Sequence, residues 1–237
     1  MRLSNRTLTQ IATVVSLLAP QAVRADTIVG QFNAVGSAMA TGSGPANVAF
    51  GFTTPIGAIV PLTGIFGVIA PFTFGGISNL TVGSGATSIP NFLTISGFTF
   101  SLTNIAPGAY SAADCAAPAA VGQTCSRPGS GMNFSNVPNG QGGLNSVSSF
   151  SFSGIVTTPG AQFYSYTGVF SSQLAGVSYQ TLLSALNGGS VGMSYSLNIN
   201  ATTPDIVTTP EPATVALMAT GMLCCVGFVR RRRNSLG

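Results

Sequence analysis

The chain has 237 residues, of which only 5% are charged, with no His, no Trp and a formal net charge of +4. Soluble globular domains carry about 25% charged residues, so this chain is depleted several-fold. The positive charge lies at the two ends, because the segment from Asp26 to Thr209 contains a single basic residue, Arg127. A body without a basic stripe cannot neutralise phosphates, which excludes nucleic acid as a partner.

The first 25 residues have the three parts of a secretory signal peptide. Arg2 and Arg6 give a positive start, residues 11–19 form an apolar run, and small residues precede the expected cleavage site. This pattern predicts cleavage between Ala25 and Asp26 and export of the body. The apolar run is too short to cross a hydrocarbon layer of about 30 Å, which argues against an uncleaved anchor.

Residues 26–203 have the pattern of an all-β domain. Runs rich in aromatic and β-branched residues, separated by turns rich in Gly, Pro, Asn and Ser, predict strands. The predicted strands are residues 48–52, 64–74, 77–82, 92–105, 147–156, 163–170 and 193–200. Their spacing favours a β-sandwich or an open barrel, and we predict a single β-sandwich or jelly-roll-like domain.

One short helix interrupts this pattern. Residues 177–189 place Leu182, Leu183 and Leu186 on one side of a helix, and Asn187 and two glycines follow as a stop. We interpret the leucines as core packing rather than as part of a ligand site.

A long loop, residues 106–131, is rich in Ala, Gly and Pro and contains Cys115 and Cys125. In an exported protein, two cysteines that flank a loop are expected to form a disulfide. A metal site would need further soft ligands, and the chain has no His to supply them. We therefore predict a disulfide and no metal.

The residues that usually carry catalysis are missing. Without His or Lys, the common general bases, the Ser-His triads and Ser-Lys dyads are excluded. Asp26, Asp114 and Asp205 are too few and too dispersed for carboxylate catalysis on glycosides or for calcium binding. We predict no enzyme activity, no catalytic residue and no cofactor.

What remains is a weakly charged surface of Ser, Thr, Asn and Gln. Low charge favours association, which is consistent with a structural component of an extracellular matrix. The alternative is a carbohydrate-binding or adhesive module in which exposed tyrosines, such as Tyr164, Tyr166 and Tyr179, stack on sugar rings. A cluster of exposed, coplanar aromatic side chains would favour the binding module, and aromatic side chains all turned inward would favour the scaffold.

The C-terminal part begins with a linker, residues 204–212, that ends in Pro210, Glu211 and Pro212. Prolines keep the backbone extended and keep it from joining a following helix. The motif is therefore predicted to be an accessible peptide next to the membrane, which is the shape that a membrane-side protease requires.

Residues 213–229 are apolar and uncharged. As a helix they would be about 26 Å long, at the lower limit for a transmembrane span. The basic tail, residues 230–237, starts with a block of four arginines that orients the span with the tail in the cytoplasm and the body outside. This block is Arg230, Arg231, Arg232 and Arg233.

The order of Pro-Glu-Pro, apolar span and arginine block resembles the PEP-CTERM sorting signal of Gram-negative bacteria. The family commonly has Val before the motif, where this chain has Thr209. The resemblance implies recognition by an exosortase, a membrane cysteine protease, at the inner membrane. It further implies cleavage near the motif, delivery to the cell surface or extracellular matrix, and association with exopolysaccharide. The alternative is a chain that stays anchored by its single span.

Overall fold

The structure, a computed structural model, describes residues 27–42, 48–52 and 55–203. These residues form twelve strands, a helix α1 (Tyr179–Leu186) and a 3-10 helix (Ala113–Ala116). The all-β class with one short helix is confirmed for this part of the chain. The strands are β1 (Ile28–Gly42), β2 (Val48–Phe52), β3 (Ile56–Gly64), β4 (Phe74–Ile77), β5 (Leu80–Val82), β6 (Gly85–Ile95), β7 (Phe98–Ile105), β8 (Thr124–Cys125), β9 (Asn133–Pro138), β10 (Leu144–Thr157), β11 (Phe163–Leu174) and β12 (Ser190–Thr202).

The strands form one connected antiparallel sheet. Eight of them close a ring in the order β11, β12, β1, β3, β4, β6, β7 and β10, because β10 also pairs with β11. That closing ladder runs from Ser146 opposite Leu174 to Thr157 opposite Phe163. The sheet is therefore sandwich-like. Because the ring is closed, hydrogen bonds between strands continue from one layer to the other, and no free strand edge separates the layers.

Two long strands, β1 and β10, each serve two neighbours on one edge. β1 pairs with β3 along its first half and with β2 along its second half. β10 in the same way pairs with β9 first and with β7 later. The sheet consequently widens beyond the ring, where β5 extends β2 and β8 extends β9, and α1 packs at this widened end.

The two ends of the ring are built differently. The helix end contains α1 and the loop of residues 106–131. The plug end contains the loop of residues 65–73, the turns at residues 96–97 and 158–162, and the points at which residues 27 and 203 meet the sheet. Hydrogen bonds fix this arrangement, since Ile65 N donates to Val29 O at 3.0 Å and Thr203 N donates to Thr27 O at 3.4 Å.

Phe66 closes the plug end. Its side chain is fully buried, and its ring centroid lies 5.7 Å from that of Phe32, 5.4 Å from Phe98 and 5.8 Å from Phe100. Ile69, one turn further along the loop, is buried beside it. The loop therefore fills the open end of the ring with apolar side chains.

The predicted strand over residues 64–74 is wrong for this reason. Gly64 has a φ of +58°, which L side chains rarely adopt, and the chain then turns through hydrogen bonds from Phe66 N to Thr63 O and from Ile69 N to Phe66 O. Strand structure resumes only at Phe74. Burial of Phe66 and Ile69 under the ring outweighs the β-propensity of the segment.

The predicted strand over residues 92–105 is a hairpin. Ser96 and Gly97 both have positive φ angles, of 48° and 80°, and Ile95 pairs with Phe98 across them. Two central residues with positive φ are the requirement of a type I′ turn, the commonest short connection between antiparallel strands.

Aromatic rings continue the core from the plug to the helix end. Neighbouring ring centroids lie 4.8 to 6.0 Å apart, a spacing at which aromatic pairs attract each other beyond simple burial. The series is Phe100, Tyr166, Phe152, Phe150, Phe170 and Tyr195.

Strand glycines make room for two of these rings. Gly36 pairs with Tyr195 across β1 and β12, and a Cβ at Gly36 would lie 2.5 Å from the Tyr195 hydroxyl. Gly168 pairs with Phe152, and its Cβ would lie 2.4 Å from the ring. A larger residue at either position would displace an aromatic side chain of the core.

The predicted helix is confirmed as α1. Ser178 caps its first turn by accepting a hydrogen bond from Thr181 N at 3.2 Å. The predicted leucine face is buried together with Tyr179, as core packing requires. The C-terminal turn lies against β1 so closely that a Cβ at Gly42 would be 2.1 Å from Leu186 O.

Candidate functional site

The disulfide predicted between Cys115 and Cys125 is present, with 5.1 Å between the two Cα atoms. Cys115 lies in the 3-10 helix, and Cys125 lies in β8, where it pairs with Phe134 of β9. The bond therefore attaches the loop of residues 106–131 to the edge of the sheet.

An amide network joins this loop to α1. Asn136 of β9 is 1% exposed, and its Oδ1 accepts from Tyr179 N at 2.8 Å while its Nδ2 donates to Gln180 Oε1 at 3.0 Å. Gln180 Nε2 in turn donates to Gln123 Oε1 at 2.9 Å and to Ala117 O at 3.2 Å. Each of these amide groups is engaged, so the network holds the helix end together and is not a ligand site.

Tyr179 anchors the same region from inside. Its hydroxyl donates to Asp114 O at 2.8 Å, and its ring is fully buried against Phe134. Burial, and to a smaller extent the Asp114 carboxylate, raises the pKa of the Tyr179 phenol. The phenol therefore stays protonated and keeps donating its hydrogen bond.

Charge is confined to this end among the described residues. Within residues 27–42, 48–52 and 55–203, Asp114 and Arg127 are the only charged side chains, and both belong to the loop of residues 106–131. In the same part of the chain, no three His, Cys, Asp or Glu side chains form a group that could hold a metal ion.

A broad polar surface covers the outside of β10, β11, β12 and β1. We call it the hydroxyl–amide face. The strand registers place Ser, Thr, Asn and Gln side chains in rows across these four strands, each of them exposed or half-buried, with the exposed Val35 and Val169 among them. Its members are Gln31, Asn33, Ser149, Ser151, Ser153, Ser165, Thr167, Ser171, Ser196, Asn198 and Asn200.

Hydrogen bonds between strands partly order this face. The hydroxyls of Ser171 and Ser196 lie 2.8 Å apart, and Asn198 Nδ2 donates to Asn33 Oδ1. Asn33 Nδ2 also donates to Pro61 O at 3.0 Å. Most hydroxyls of the face remain accessible, and the face carries no charge, so it offers many weak donors and acceptors to an uncharged partner.

A cleft of about 270 Å³ lies within the hydroxyl–amide face. Asn200 Oδ1 in its wall is buried and has no hydrogen-bond partner among the described residues. The Asn200 amide is oriented by its Nδ2, which donates to Asn198 Oδ1 at 3.4 Å along the same wall. The cleft is lined by Asn104, Ala106, Ser151, Phe152, Ser153, Thr167, Gly168, Val169, Asn198 and Asn200.

A second, open groove of about 420 Å³ lies beside β4. Its wall contains the exposed ring of Phe74 and the backbone of Gly75 and Gly76, and Thr94 and Ser96 supply its side-chain hydroxyls. Neither group is an acid or base at neutral pH, so the groove holds no candidate for proton transfer.

The structure corrects the hypothesis of a tyrosine platform. Tyr166 is 1% exposed and Tyr179 is fully buried, so neither can stack on a sugar. Burial raises the pKa of Tyr166, whose hydroxyl donates to Ser101 O at 3.3 Å inside the sheet. Tyr164 is half-buried, and its hydroxyl donates a hydrogen bond to Gln162 Oε1. Tyr110, at 46%, is the most exposed tyrosine side chain of the described residues.

The other predicted sites lie outside the described residues. Among residues 27–42, 48–52 and 55–203, no helix has both the length and the apolar character needed to cross a membrane. The predicted span, residues 213–229, is not part of that range. The predicted site residues outside it are Ala25, Asp26, Pro210, Glu211, Pro212, Arg230, Arg231, Arg232 and Arg233.

Comparison with known families decides what this tail is. Residues 208–233 match the family model described as the PEP-CTERM protein-sorting motif. The chain carries a PEP-CTERM sorting motif. The match includes Pro210, Glu211 and Pro212 and ends at the arginine block, so the resemblance seen in the sequence is confirmed. No curated protein and no solved structure matches the chain.

The PEP-CTERM motif supports an exported protein that is sorted by an exosortase. It also implies processing in association with the membrane. The match covers the tail alone, so the role of the body has to be argued from its own surface.

The sequence predicted a surface of Ser, Thr, Asn and Gln but not the strands on which these side chains lie together. The available signal was the alternation of Ser with Phe in residues 148–153 and of polar with apolar residues in residues 193–200. Each run predicts one polar strand face, but the order in which four strands pair is needed to see that these faces are contiguous.

Proposed function

We propose that this chain is an exported, non-catalytic structural protein of the cell surface or extracellular matrix. The span of residues 213–229 holds it at the inner membrane of a Gram-negative bacterium until an exosortase cuts near Pro210, Glu211 and Pro212. The released body then associates with exopolysaccharide through the hydroxyl–amide face. The observation that carries this proposal is the sorting motif at residues 208–233 joined to a body with an uncharged outer face.

The chemistry of that face favours a neutral polymer. Hydroxyl and amide groups exchange hydrogen bonds with sugar hydroxyls, and each exchange contributes little because water competes. A long polymer touches many such groups at once, and the second contact is then intramolecular. Weak contacts in rows therefore suit a matrix component better than they suit tight recognition of one small sugar.

Mass spectrometry of the C-terminus tests the sorting step. Protein isolated from the cell surface should end near residue 212 and lack Arg230–Arg233. A variant with Pro210→Ala, Glu211→Ala and Pro212→Ala should keep the whole tail, while Pro204→Ala, outside the motif, should be cut normally. Surface protein that retains the four arginines would instead support a permanently anchored module.

That permanently anchored alternative is a carbohydrate-binding or adhesive module, and the cleft at Asn200 is the observation in its favour. Electrophoresis through gels that contain neutral polysaccharide compares the two. Matrix association predicts that Asn200→Ala and Ser165→Ala, a residue of the face outside the cleft, each reduce the retardation slightly, whereas a dedicated site predicts that Asn200→Ala abolishes it and that Ser165→Ala leaves it unchanged. Thr81→Ala, exposed on β5, is the matched control.

The non-catalytic part of the proposal has its own test. The protein is incubated with exopolysaccharide, and reducing ends are measured over time. A steady rise in reducing ends would contradict a structural role. No rise is expected, because the described body has one carboxylate, Asp114, and glycoside hydrolysis uses two.

A further inference from the structure

Exposed apolar side chains gather at the plug end. Val68 is 78% exposed and Phe72 is 76% exposed, both in the loop whose Phe66 fills the ring. Ile28 is 56% exposed at the start of β1, next to the residue that bonds to this loop. Phe163 is 62% exposed and begins β11, two residues before the pairing of Ser165 with Thr202.

The exposure of Phe72 is built into the loop. Its φ of 63° is unfavourable for a bulky residue, and its N–H donates to Ala58 O at 2.8 Å. The hydroxyl of Thr73 donates to Ala70 O at 2.7 Å and tightens the same turn. The loop thus holds one phenylalanine, Phe66, inside the ring and the other outside it.

Charge and chain connectivity distinguish this end from the helix end. The charged side chains of the described residues, Asp114 and Arg127, both lie in the loop at the helix end. Thr203 bonds to Thr27 at the plug end, and the linker of residues 204–212 follows it directly. Fully extended, nine residues reach about 30 Å, so a tail fixed in a membrane keeps the plug end near that membrane.

We infer that the plug end, through Ile28, Val68, Phe72 and Phe163, is a lipid-contacting surface that rests on the membrane while the tail is uncut. The inference rests on the proposed function, which supplies the membrane stage. A short tether makes the contact intramolecular, so a few apolar side chains suffice where they would not hold a free protein.

The lipid that fits is uncharged overall. The surface has no Lys or Arg with which to attract anionic headgroups. Asp26 and Asp205 are the next acidic residues in the sequence on either side of the described part. Contact should therefore depend on insertion of apolar side chains into zwitterionic lipid and should weaken as anionic lipid is added.

A single-tryptophan series tests this, because the chain has no Trp of its own. Phe72→Trp and Phe163→Trp place reporters at the plug end, and Tyr110→Trp, exposed in the loop at the helix end, is the matched control. Each uncut chain is reconstituted into phosphatidylcholine vesicles with brominated acyl chains. Apolar groups at an interface lie about 5–10 Å into it, so the two plug-end reporters should lose fluorescence and the control should not.

A double variant that carries the same reporter distinguishes insertion of side chains into lipid from simple proximity caused by the tail. Val68→Asn with Phe72→Asn removes two exposed apolar groups and leaves the tail intact. In that background, quenching of the Phe163→Trp reporter should fall. Quenching that stays unchanged, or that is equal for Tyr110→Trp, would mean that the tether alone brings the body near lipid, and it would overturn the inference.

The remaining outcomes are also decisive. A reporter that responds to protein density in the membrane but not to brominated lipid would assign the surface to a second copy of the chain and overturn the inference. A chain that floats with vesicles without any plug-end quenching overturns the inference alone. A chain that does not float with vesicles at all overturns the membrane stage of the proposed function, and the inference with it.

Discussion

The plug end and the helix end close the same ring of strands by different interactions. At the plug end, Phe66 fills the opening and packs against three other rings. At the helix end, amide hydrogen bonds join a helix with a leucine face to the loop of residues 106–131, and the Cys115–Cys125 bond attaches that loop to β8 at the edge of the sheet. The plug end is therefore closed by the volume of apolar side chains, and the helix end is closed by directional hydrogen bonds and a disulfide.

The difference follows from how much apolar area each segment can bury. The loop at the plug end is short, and Phe66 with Ile69 is enough to cover the ring. The loop of residues 106–131 is long and consists mostly of small residues, which bury little area per ordered residue. In that loop, hydrogen bonds and a disulfide supply the stability that apolar contact cannot. Four predictions test this comparison, from the largest expected effect on stability to the smallest.

The largest effect is expected at the plug. Phe66→Ala should lower the free energy of unfolding by about 3–5 kcal/mol, because it leaves a cavity among Phe32, Phe98 and Phe100 that those rings cannot fill. Phe72→Ala, in the same loop but 76% exposed, should change it by no more than about 0.5 kcal/mol. Urea unfolding measures both, and similar costs for the two variants would show that Phe66 is not the plug.

The disulfide comes next. Cys115→Ala with Cys125→Ala should cost about 3 kcal/mol, because the bond closes a loop with a sequence separation of 10. Hydrogen exchange should accelerate more for the amides of α1, such as Leu182, than for those around Phe66, because the plug end experiences only the loss of global stability while the helix end also loses a local attachment. An acceleration of equal size at both ends would contradict a local role of the disulfide at the helix end.

The amide network should contribute less. Asn136→Ala leaves Tyr179 N–H and Gln180 Oε1 unpaired in a buried place, and the free energy of unfolding should fall by about 1–3 kcal/mol. Gln173→Ala, an exposed amide on β11, is the control and should be nearly neutral. Equal losses of unfolding free energy in the two variants would mean that water replaces the Asn136 hydrogen bonds. The amide network would then contribute little to the stability of the helix end.

Local pattern predicted much of the fold but not its closure. Residues 193–200 alternate so regularly that β12 follows from period two alone, and residues 177–189 contain both the leucine face and the stop of α1. β1 was missed although it is the longest strand, because Gly and Ala occupy many of its positions. Those small residues are required by partners such as Tyr195, which no local window contains.

The candidate sites divide in the same way. The sorting motif is a contiguous run of residues, and its resemblance to the PEP-CTERM signal is visible in the sequence alone. The disulfide followed from Cys115, Cys125 and the expectation of export. The hydroxyl–amide face and the plug depend on strand order, and Phe66 was assigned to a strand because its β-propensity is visible in sequence and the open ring below it is not.

The smallest effect at neutral pH is expected at Tyr195, which pairs with Gly36 in the middle of β1 and β12. The Tyr195 hydroxyl is buried and has no hydrogen-bond partner among the described residues, whereas the Tyr179 hydroxyl donates to Asp114 O. Tyr195→Phe should therefore be neutral or stabilise by less than about 1 kcal/mol, and Tyr179→Phe should destabilise by about 1 kcal/mol.

Alkaline pH should increase the stabilising effect of Tyr195→Phe. Burial raises the pKa of Tyr195 to about 12, from an unfolded value of 10.0. A phenol whose folded pKa is raised keeps its full contribution below pH 10, and that contribution is lost as pH rises toward 12, because only the unfolded chain releases the proton. Tyr195→Phe lacks this loss, so its unfolding midpoint should exceed that of the parent chain by more at pH 11 than at pH 7. A difference that does not grow with pH would mean that the Tyr195 hydroxyl is reached by water in the folded protein.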